Sequence, residues 1–221
     1  MSATPRSRGA RIAAGIAAIA LAVAACSSGE SSPTSAPAQP PSPKAGAFHD
    51  AMRELWQDHG TWTRLTIVSF AANSPDLQVT QGRLLANQTD IGNAIKPYYG
   101  PDAGSKLTAL LQQHIMAAAG VLKAAKTGNT TDVAQAKAVF YANGNQIADF
   151  LHGANPGNWP LDAAQNMMKT HLDQVAEMGS DELTGHYAES VGVWNAYRDH
   201  ILAMADTLST GIIKQFPDRF N

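Results

Sequence analysis

Apolar residues recur every three or four positions through most of the chain from residue 48 onward, which is the period of an α-helix. The first such segment predicts a helix over residues 48–72, with an apolar side formed by Met52, Leu55, Trp56, Trp62, Ile67 and Phe70. No segment shows the clear alternation of apolar and polar residues that indicates a β-strand. The pattern therefore predicts an all-α fold.

The same period predicts four more long helices, over residues 102–126, 131–151, 161–178 and 182–215. Between residues 75 and 99 the apolar residues come in short groups, which predict one or two short helices that cap the others. The connecting segments are short and rich in Gly, Pro and Asn. Because short loops favour antiparallel neighbours, we expect an antiparallel bundle of four to five long helices.

The start of the chain has the layout of a signal peptide. Arg6, Arg8 and Arg11 precede an apolar run over residues 12–25 that contains no charge. A run of about 14 residues is shorter than the roughly 20 that a membrane-spanning helix needs. We therefore expect export and removal of residues 1–25.

The end of this run predicts lipidation. The six residues Leu21-Ala22-Val23-Ala24-Ala25-Cys26 resemble the lipobox of bacterial lipoproteins. The resemblance implies cleavage before Cys26, attachment of a diacylglycerol to its sulfur, and a palmitate-type acyl anchor in the cell membrane. The alternative is ordinary secretion with cleavage after Ala25. Cys26 is the only cysteine, so the chain forms no internal disulfide and core burial has to stabilise the domain.

Residues 26–46 predict a lipidated cysteine followed by a disordered tether, because they consist mainly of Ser, Pro and Ala with few charges. Residues 47–221 then form one domain. Without the three arginines of the signal peptide the chain has 13 basic and 18 acidic residues, a net charge of −5. No basic cluster is present, which excludes nucleic acid as a partner and leaves small molecules, metal ions or an envelope protein.

Three histidines stand at inward positions of the predicted helices, where an apolar residue is expected. His59, His114 and His171 each lie near the middle of a different helix, so they share one layer of the bundle. Neutral imidazole is a ligand for zinc, copper, nickel and iron. We therefore predict a metal site, with a further ligand from Asn143, Asn145 or Asp149.

Another interpretation of the three histidines, a structural polar layer, remains open. A single inward histidine is usually a core residue that is hydrogen-bonded to its neighbours. Methionines at residues 167, 168, 178 and 204 lie on the same helices as His171 and His200 and slightly favour copper over zinc, although methionine at helical spacing is mostly core filler. His49, His152, His186 and His200 are predicted to be surface or helix-end residues.

The leading functional hypothesis is a membrane-tethered extracytoplasmic protein that binds a transition metal, copper or zinc, or a small polar ligand in this layer. The alternative is a structural or protein-interaction module of the cell envelope without a ligand. An enzyme ranks third, because it would need an open metal position with a bound water. The chain contains no Gly-x-Ser-x-Gly and no His-Glu-x-x-His motif.

Segments 58–64, 90–100 and 211–217 resemble parts of a family of exported helical proteins of Gram-positive bacteria. The resemblance implies one compact helical domain and no particular activity. In the first segment, Arg64 lies among apolar residues, and we expect it to pair with Asp90, Asp149 or Asp206.

Overall fold

The computed structural model describes residues 41–221, so the predicted signal peptide, Cys26 and most of the tether lie outside the described residues. Five α-helices and a final 3-10 turn follow one another in this part of the chain. They are α1 Pro43–Ala71, α2 Leu77–Thr127, α3 Thr130–Ala154, α4 Leu161–Thr184, α5 Tyr187–Gln215 and the turn Pro217–Arg219. The predicted all-α bundle is confirmed.

Helix α1 begins five residues earlier than the apolar pattern predicts. The Ser42 hydroxyl accepts a hydrogen bond from the backbone N–H of Ala45 at 3.2 Å, and Pro43 occupies the first turn. Serine as N-cap followed by proline is a strong helix start. Residues 43–46, which the composition assigned to the tether, therefore belong to the folded domain.

The prediction of short capping helices over residues 75–99 was wrong, because this segment is one long helical arm. Helix α2 consists of two arms, residues 77–99 and 101–127, separated by Gly100 with φ 86° and ψ 167°. The inward side of the first arm includes the buried polar residues Thr80, Asn87 and Gln88. These polar side chains interrupt the apolar period, so the pattern of apolar residues does not predict one continuous helix over this segment.

The two arms fold back on each other as a hairpin. The hydroxyl of Thr108 in the second arm approaches the carbonyl oxygen of Gln88 in the first at 3.5 Å. Next to this contact, Gly92 and Gly104 bring the two backbones so close that a Cβ at Gly92 would lie 2.6 Å from the Gly104 carbonyl oxygen. Glycine is the only residue that permits such an approach.

Successive helices are antiparallel, and α5 returns to α1. Near the start of α1, Arg53 pairs with Asp206 late in α5. Further along α1, Arg64 approaches Ser190 at the beginning of α5. Helix α4 contacts α1 and α2 as well as its chain neighbours. Side chains of α4 therefore reach the centre of the bundle.

The boundary between α4 and α5 differs from the prediction, since α4 continues to Thr184 and α5 begins at Tyr187. Tyr187 and Val191, which the helical period of the sequence puts on the apolar side of the predicted helix 182–215, are 62% and 50% exposed. The buried side of α5 is instead formed by Ser190, Tyr197, Ile201, Met204, Ala205, Leu208 and Ile212.

The end of the chain docks on the start of the domain. The Phe220 ring lies 5.3 Å from Tyr98 and 5.2 Å from Phe48, measured between ring centroids. The Ser42 hydroxyl also donates to the Phe220 carbonyl oxygen. Within residues 41–221, no helix is both long and apolar enough to cross a membrane.

We predict that Gly92→Ala destabilises the domain by about 1–3 kcal/mol, because the added methyl group overpacks the contact between the arms of α2. Urea denaturation of the two proteins measures the difference. Gly82→Ala is the matched control: Gly82 lies in the same arm with no atom within 4 Å of an added Cβ, so this change should stabilise by about 0.5–1 kcal/mol. Equal effects of the two substitutions would contradict the close packing of the hairpin.

Candidate histidine layer

The structure brings His59, His114 and His171 together in the interior of the bundle. They are 2%, 3% and 2% exposed and belong to α1, to the second arm of α2 and to α4. The His171 ring lies between the other two, 5.7 Å from His59 and 5.4 Å from His114, measured between ring centroids. The three rings are therefore direct neighbours in one layer.

Gln88 fixes the orientation of His59. Its amide nitrogen lies 2.7 Å from the carbonyl oxygen of Leu84 and 3.1 Å from His59 Nδ1. The carbonyl oxygen can only accept, so the amide nitrogen is the group that faces both atoms and donates to each. His59 Nδ1 accepts this bond, and the proton of the neutral ring is on Nε2.

Asn143 fixes His114 in the opposite tautomer. The Asn143 amide nitrogen donates to the carbonyl oxygen of Leu110 at 3.2 Å, which leaves the amide oxygen directed at His114 Nδ1, 3.0 Å away. His114 Nδ1 therefore carries the proton and donates to Asn143. The lone pair of His114 is then on Nε2.

His171 has no such amide partner. Its Nδ1 atom is buried and makes no hydrogen bond to the described residues, and the same holds for the hydroxyl groups of Thr63 and Thr66. His171, Thr63 and Thr66 line one cavity, together with His59 and His114. A buried polar group without a partner costs about 1–3 kcal/mol. Three residues with an unpaired buried polar atom therefore line this cavity, beside aliphatic residues such as Ile67 and Val175.

Burial keeps all three imidazoles neutral. Desolvation, assisted by the proximity of His114, lowers the pKa of His59 to about 3, although the bond with Gln88 opposes this change. Desolvation lowers the pKa of His114 to about 4, against the effect of Asn143. The pKa of His171 also falls well below its usual value, mainly through desolvation and then through the neighbouring histidines. The layer therefore presents neutral rings at pH 7.

The structure does not place Asn145 and Asp149 at the layer, which corrects their prediction as ligands. Both are exposed, because the buried side of α3 carries Asn143 and Gly144, then Ile147 and Ala148. Asn143, the third candidate on this helix, does reach the layer. Within residues 41–221, no three His, Cys, Asp or Glu side chains are arranged to hold a metal ion as they stand.

Three further residues surround the layer and were not among the predicted site residues. They are Gln88, Tyr197, whose ring is 5.2 Å from that of His171, and half-buried His200, whose ring is 6.4 Å from it. Burial raises the pKa of Tyr197, while the nearby Thr63 opposes the shift without forming a hydrogen bond of normal geometry. The position of His200 four residues before Met204 is the sequence signal that it borders the apolar side of α5.

Arg64 forms a buried ion pair, but with a partner that the sequence did not indicate. Its guanidinium lies 2.7 Å from the carboxylate of Glu182, and the Ser190 hydroxyl donates to the same carboxylate at 2.7 Å. Asp90 and Asp206 pair with Arg83 and Arg53 instead, and Asp149 is exposed. The pair connects α1 to the end of α4 and the beginning of α5.

Comparison of the chain with protein-family models, with curated proteins and with solved structures finds no match. The function is therefore inferred from the geometry of the histidine layer and of its surroundings.

We predict that the free energy of unfolding of the metal-free protein falls as pH decreases from 7.5 to 5.5. The buried histidines stay neutral in the folded state, whereas their unfolded pKa is near 6.5, so the unfolded chain takes up more protons below that pH. Above pH 6.5 the three neutral histidines cause no loss of stability. As the pH decreases below 6.5, each histidine lowers the free energy of unfolding by up to about 1.4 kcal/mol per pH unit.

Urea denaturation in the presence of a chelator, at several pH values, measures this loss. His171→Leu removes one of the three groups and should make the dependence on pH shallower. A free energy of unfolding that is the same at pH 7.5 and 5.5 would mean that the rings are not held neutral.

Proposed function

We propose that this protein is a membrane-tethered extracytoplasmic binding protein whose histidine layer holds a transition metal ion, zinc or copper. The observation that carries the proposal is the convergence of three neutral imidazoles, from three helices, on one cavity. Neutral imidazole is the form that binds these metals. A single buried histidine would not support this proposal.

The size of the cavity favours an ion over a larger polar molecule. Its volume is about 30 Å³, counted as the space open to the centre of a water molecule. A single water needs about 10–15 Å³ on this measure. The cavity therefore accommodates a dehydrated ion or about two waters, and a larger ligand would require the surrounding helices to move apart.

The hydrogen bonds indicate how each ring would contribute. His114 is in the tautomer that a ligand needs, since its Nδ1–H donates to Asn143 and its Nε2 has a lone pair. His171 Nδ1 is free of other bonds. His59 would have to exchange its proton between nitrogens, and the Gln88 amide would have to turn. Metal binding thus requires a local adjustment of Gln88.

A structural module of the envelope is the second candidate. The observation in its favour is that His59 and His114 already have amide partners, as buried polar residues without a ligand do. In that case, ordered waters satisfy His171, Thr63 and Thr66, and the layer serves to hold the helices in register. Metal binding distinguishes the two candidates.

The proposed tether is supported by the composition of the segment after Cys26 and by the position at which α1 begins. With Cys26 as the anchor and Pro43 as the first helical residue, 16 residues form the spacer, which would reach about 50 Å at about 3.1 Å per residue. The spacer joins the bundle at the end that contains Ser42 and Phe220.

We predict that the purified protein binds at least one equivalent of zinc or copper and that the metal raises its thermal stability. An ion that binds only the folded state adds about 2.7 kcal/mol at one hundred times its Kd. His171→Ala should abolish this gain, and Asn143→Leu should weaken binding about 10–100-fold by removing the partner of His114. Elemental analysis and thermal denaturation with added metal provide the measurements.

His186→Ala is the matched control for this experiment, because His186 is exposed and lies outside the layer. It should bind metal as the unsubstituted protein does. An unsubstituted protein that neither contains metal nor gains stability from zinc, copper, nickel or iron would refute the metal proposal and favour the structural module.

A separate prediction concerns the anchor. Cys26→Ser removes the sulfur that the lipobox-like segment presents for lipidation, so the protein should remain as precursor or leave the membrane fraction. Fractionation of cells and mass spectrometry of the N-terminal peptide measure both outcomes. Normal acylation of the Cys26→Ser protein would contradict the lipoprotein assignment, whatever the domain binds.

A further inference from the structure

A second cavity lies next to the histidine layer, in a cleft between α4 and α5. Its volume is about 220 Å³, counted as the space open to the centre of a water molecule, which is several times that of the layer cavity. The loop before α4 closes one side with Trp159 and Pro160. Half-buried His200 lines the cleft, and its ring is stacked 6.4 Å from the ring of His171.

Three residues with neutral donor atoms, two thioethers and one imidazole, line this cleft from its two helices. They are His200 and Met204 of α5 and Met167 of α4. His200 and Met204 are four residues apart and share one side of α5. The ring of His200 lies against α4, because its Nε2–H donates to the Met167 carbonyl oxygen at 3.0 Å. Nδ1 of the neutral ring then has the lone pair.

The charge of the cleft restricts its ligand. None of the described residues that line it is an acid or a base other than His200, and its other polar side chains are Asn158 and Thr207. Calcium and magnesium ions need several oxygen ligands, usually carboxylates, so this lining does not suit them. Thioether sulfur together with imidazole selects a soft ion such as Cu(I).

We propose that His200, Met204 and Met167 form a binding site for a soft monovalent metal ion, Cu(I), in this cleft. The ion would be held by Nδ1 of His200 and by the two thioether sulfurs. All three ligands are neutral and keep their protons, so binding changes neither the oxidation state nor the protonation of the site.

This site is distinct from the histidine layer, since it shares no ligand with the layer. Either site can exist without the other. The stacking of His200 on His171 places the two sites next to each other.

The test uses silver nitrate as a redox-inert probe for Cu(I). The full chain carries Cys26→Ser in every sample, so that no thiol competes for silver. We expect one equivalent of Ag(I) to bind. In NMR spectra of protein labelled at the methionine methyl groups, its binding should shift the methyl resonances of Met167 and Met204. Met167→Leu and Met204→Leu should each weaken binding at least about tenfold, because each removes one of three ligands.

Two leucine substitutions serve as controls. Met178→Leu matches Met204→Leu, since both methionines are fully buried, and Met116→Leu tests an exposed methionine. Exchange of methionine for leucine conserves volume and usually costs less than about 1.5 kcal/mol, which thermal denaturation verifies for each variant. Neither control should change the affinity for silver.

Unchanged silver affinity in both Met167→Leu and Met204→Leu would overturn the proposal. NMR shifts that silver causes only at the methyl groups of other methionines would also overturn it. Binding of an uncharged organic dye in the cleft without silver binding would likewise overturn it and indicate an organic ligand. His171→Ala separates the two sites: it should abolish binding of zinc at the layer and leave binding of silver at the cleft. Loss of both in this variant would show that the cleft is not an independent site.

Discussion

Three imidazole rings in an apolar interior impose a condition on the helices that surround them. A charged imidazole in this environment is strongly disfavoured, and a neutral ring still has one donor and one acceptor that need partners. The amides of Gln88 and Asn143 meet part of this requirement, one by donating and the other by accepting. The position of these two amides depends in turn on the hairpin of α2 and on the buried side of α3.

The hairpin explains how residues distant in the sequence reach one layer. Gly100 reverses the chain, and the contact between Gly92 and Gly104 holds the arms close together. The first arm then carries Gln88 to His59 of α1, while the second carries His114 to His171 of α4. If the two arms were further apart, either the Gln88 amide would no longer reach His59 or the His114 ring would no longer lie next to His171.

The layer and the cleft between α4 and α5 differ in the chemistry that they offer. The cavity at the layer is small, is lined by the three histidines and two threonines together with aliphatic side chains, and is large enough for an ion. The cleft is larger and lined by thioethers and a half-buried imidazole. Harder divalent ions suit the first set of ligands and soft monovalent ions suit the second. The stacked rings of His171 and His200 lie between them.

The sequence by itself determined the helical class, most helix boundaries, and the inward position of His59, His114 and His171, because a period of three to four residues identifies the buried side of a helix. It could not identify Gln88, since hydrophobic periodicity does not register a buried amide, and it placed Asn145 and Asp149 at the layer although only Asn143 faces inward. It also could not determine the partner of Arg64. Glu182 is 118 residues further along the chain, and only the packing of α1 against α4 and α5 brings the two charges together. The tertiary structure decided these contacts because they depend on the rotation of each helix about its axis and on which helices are neighbours, neither of which is a local property of the chain.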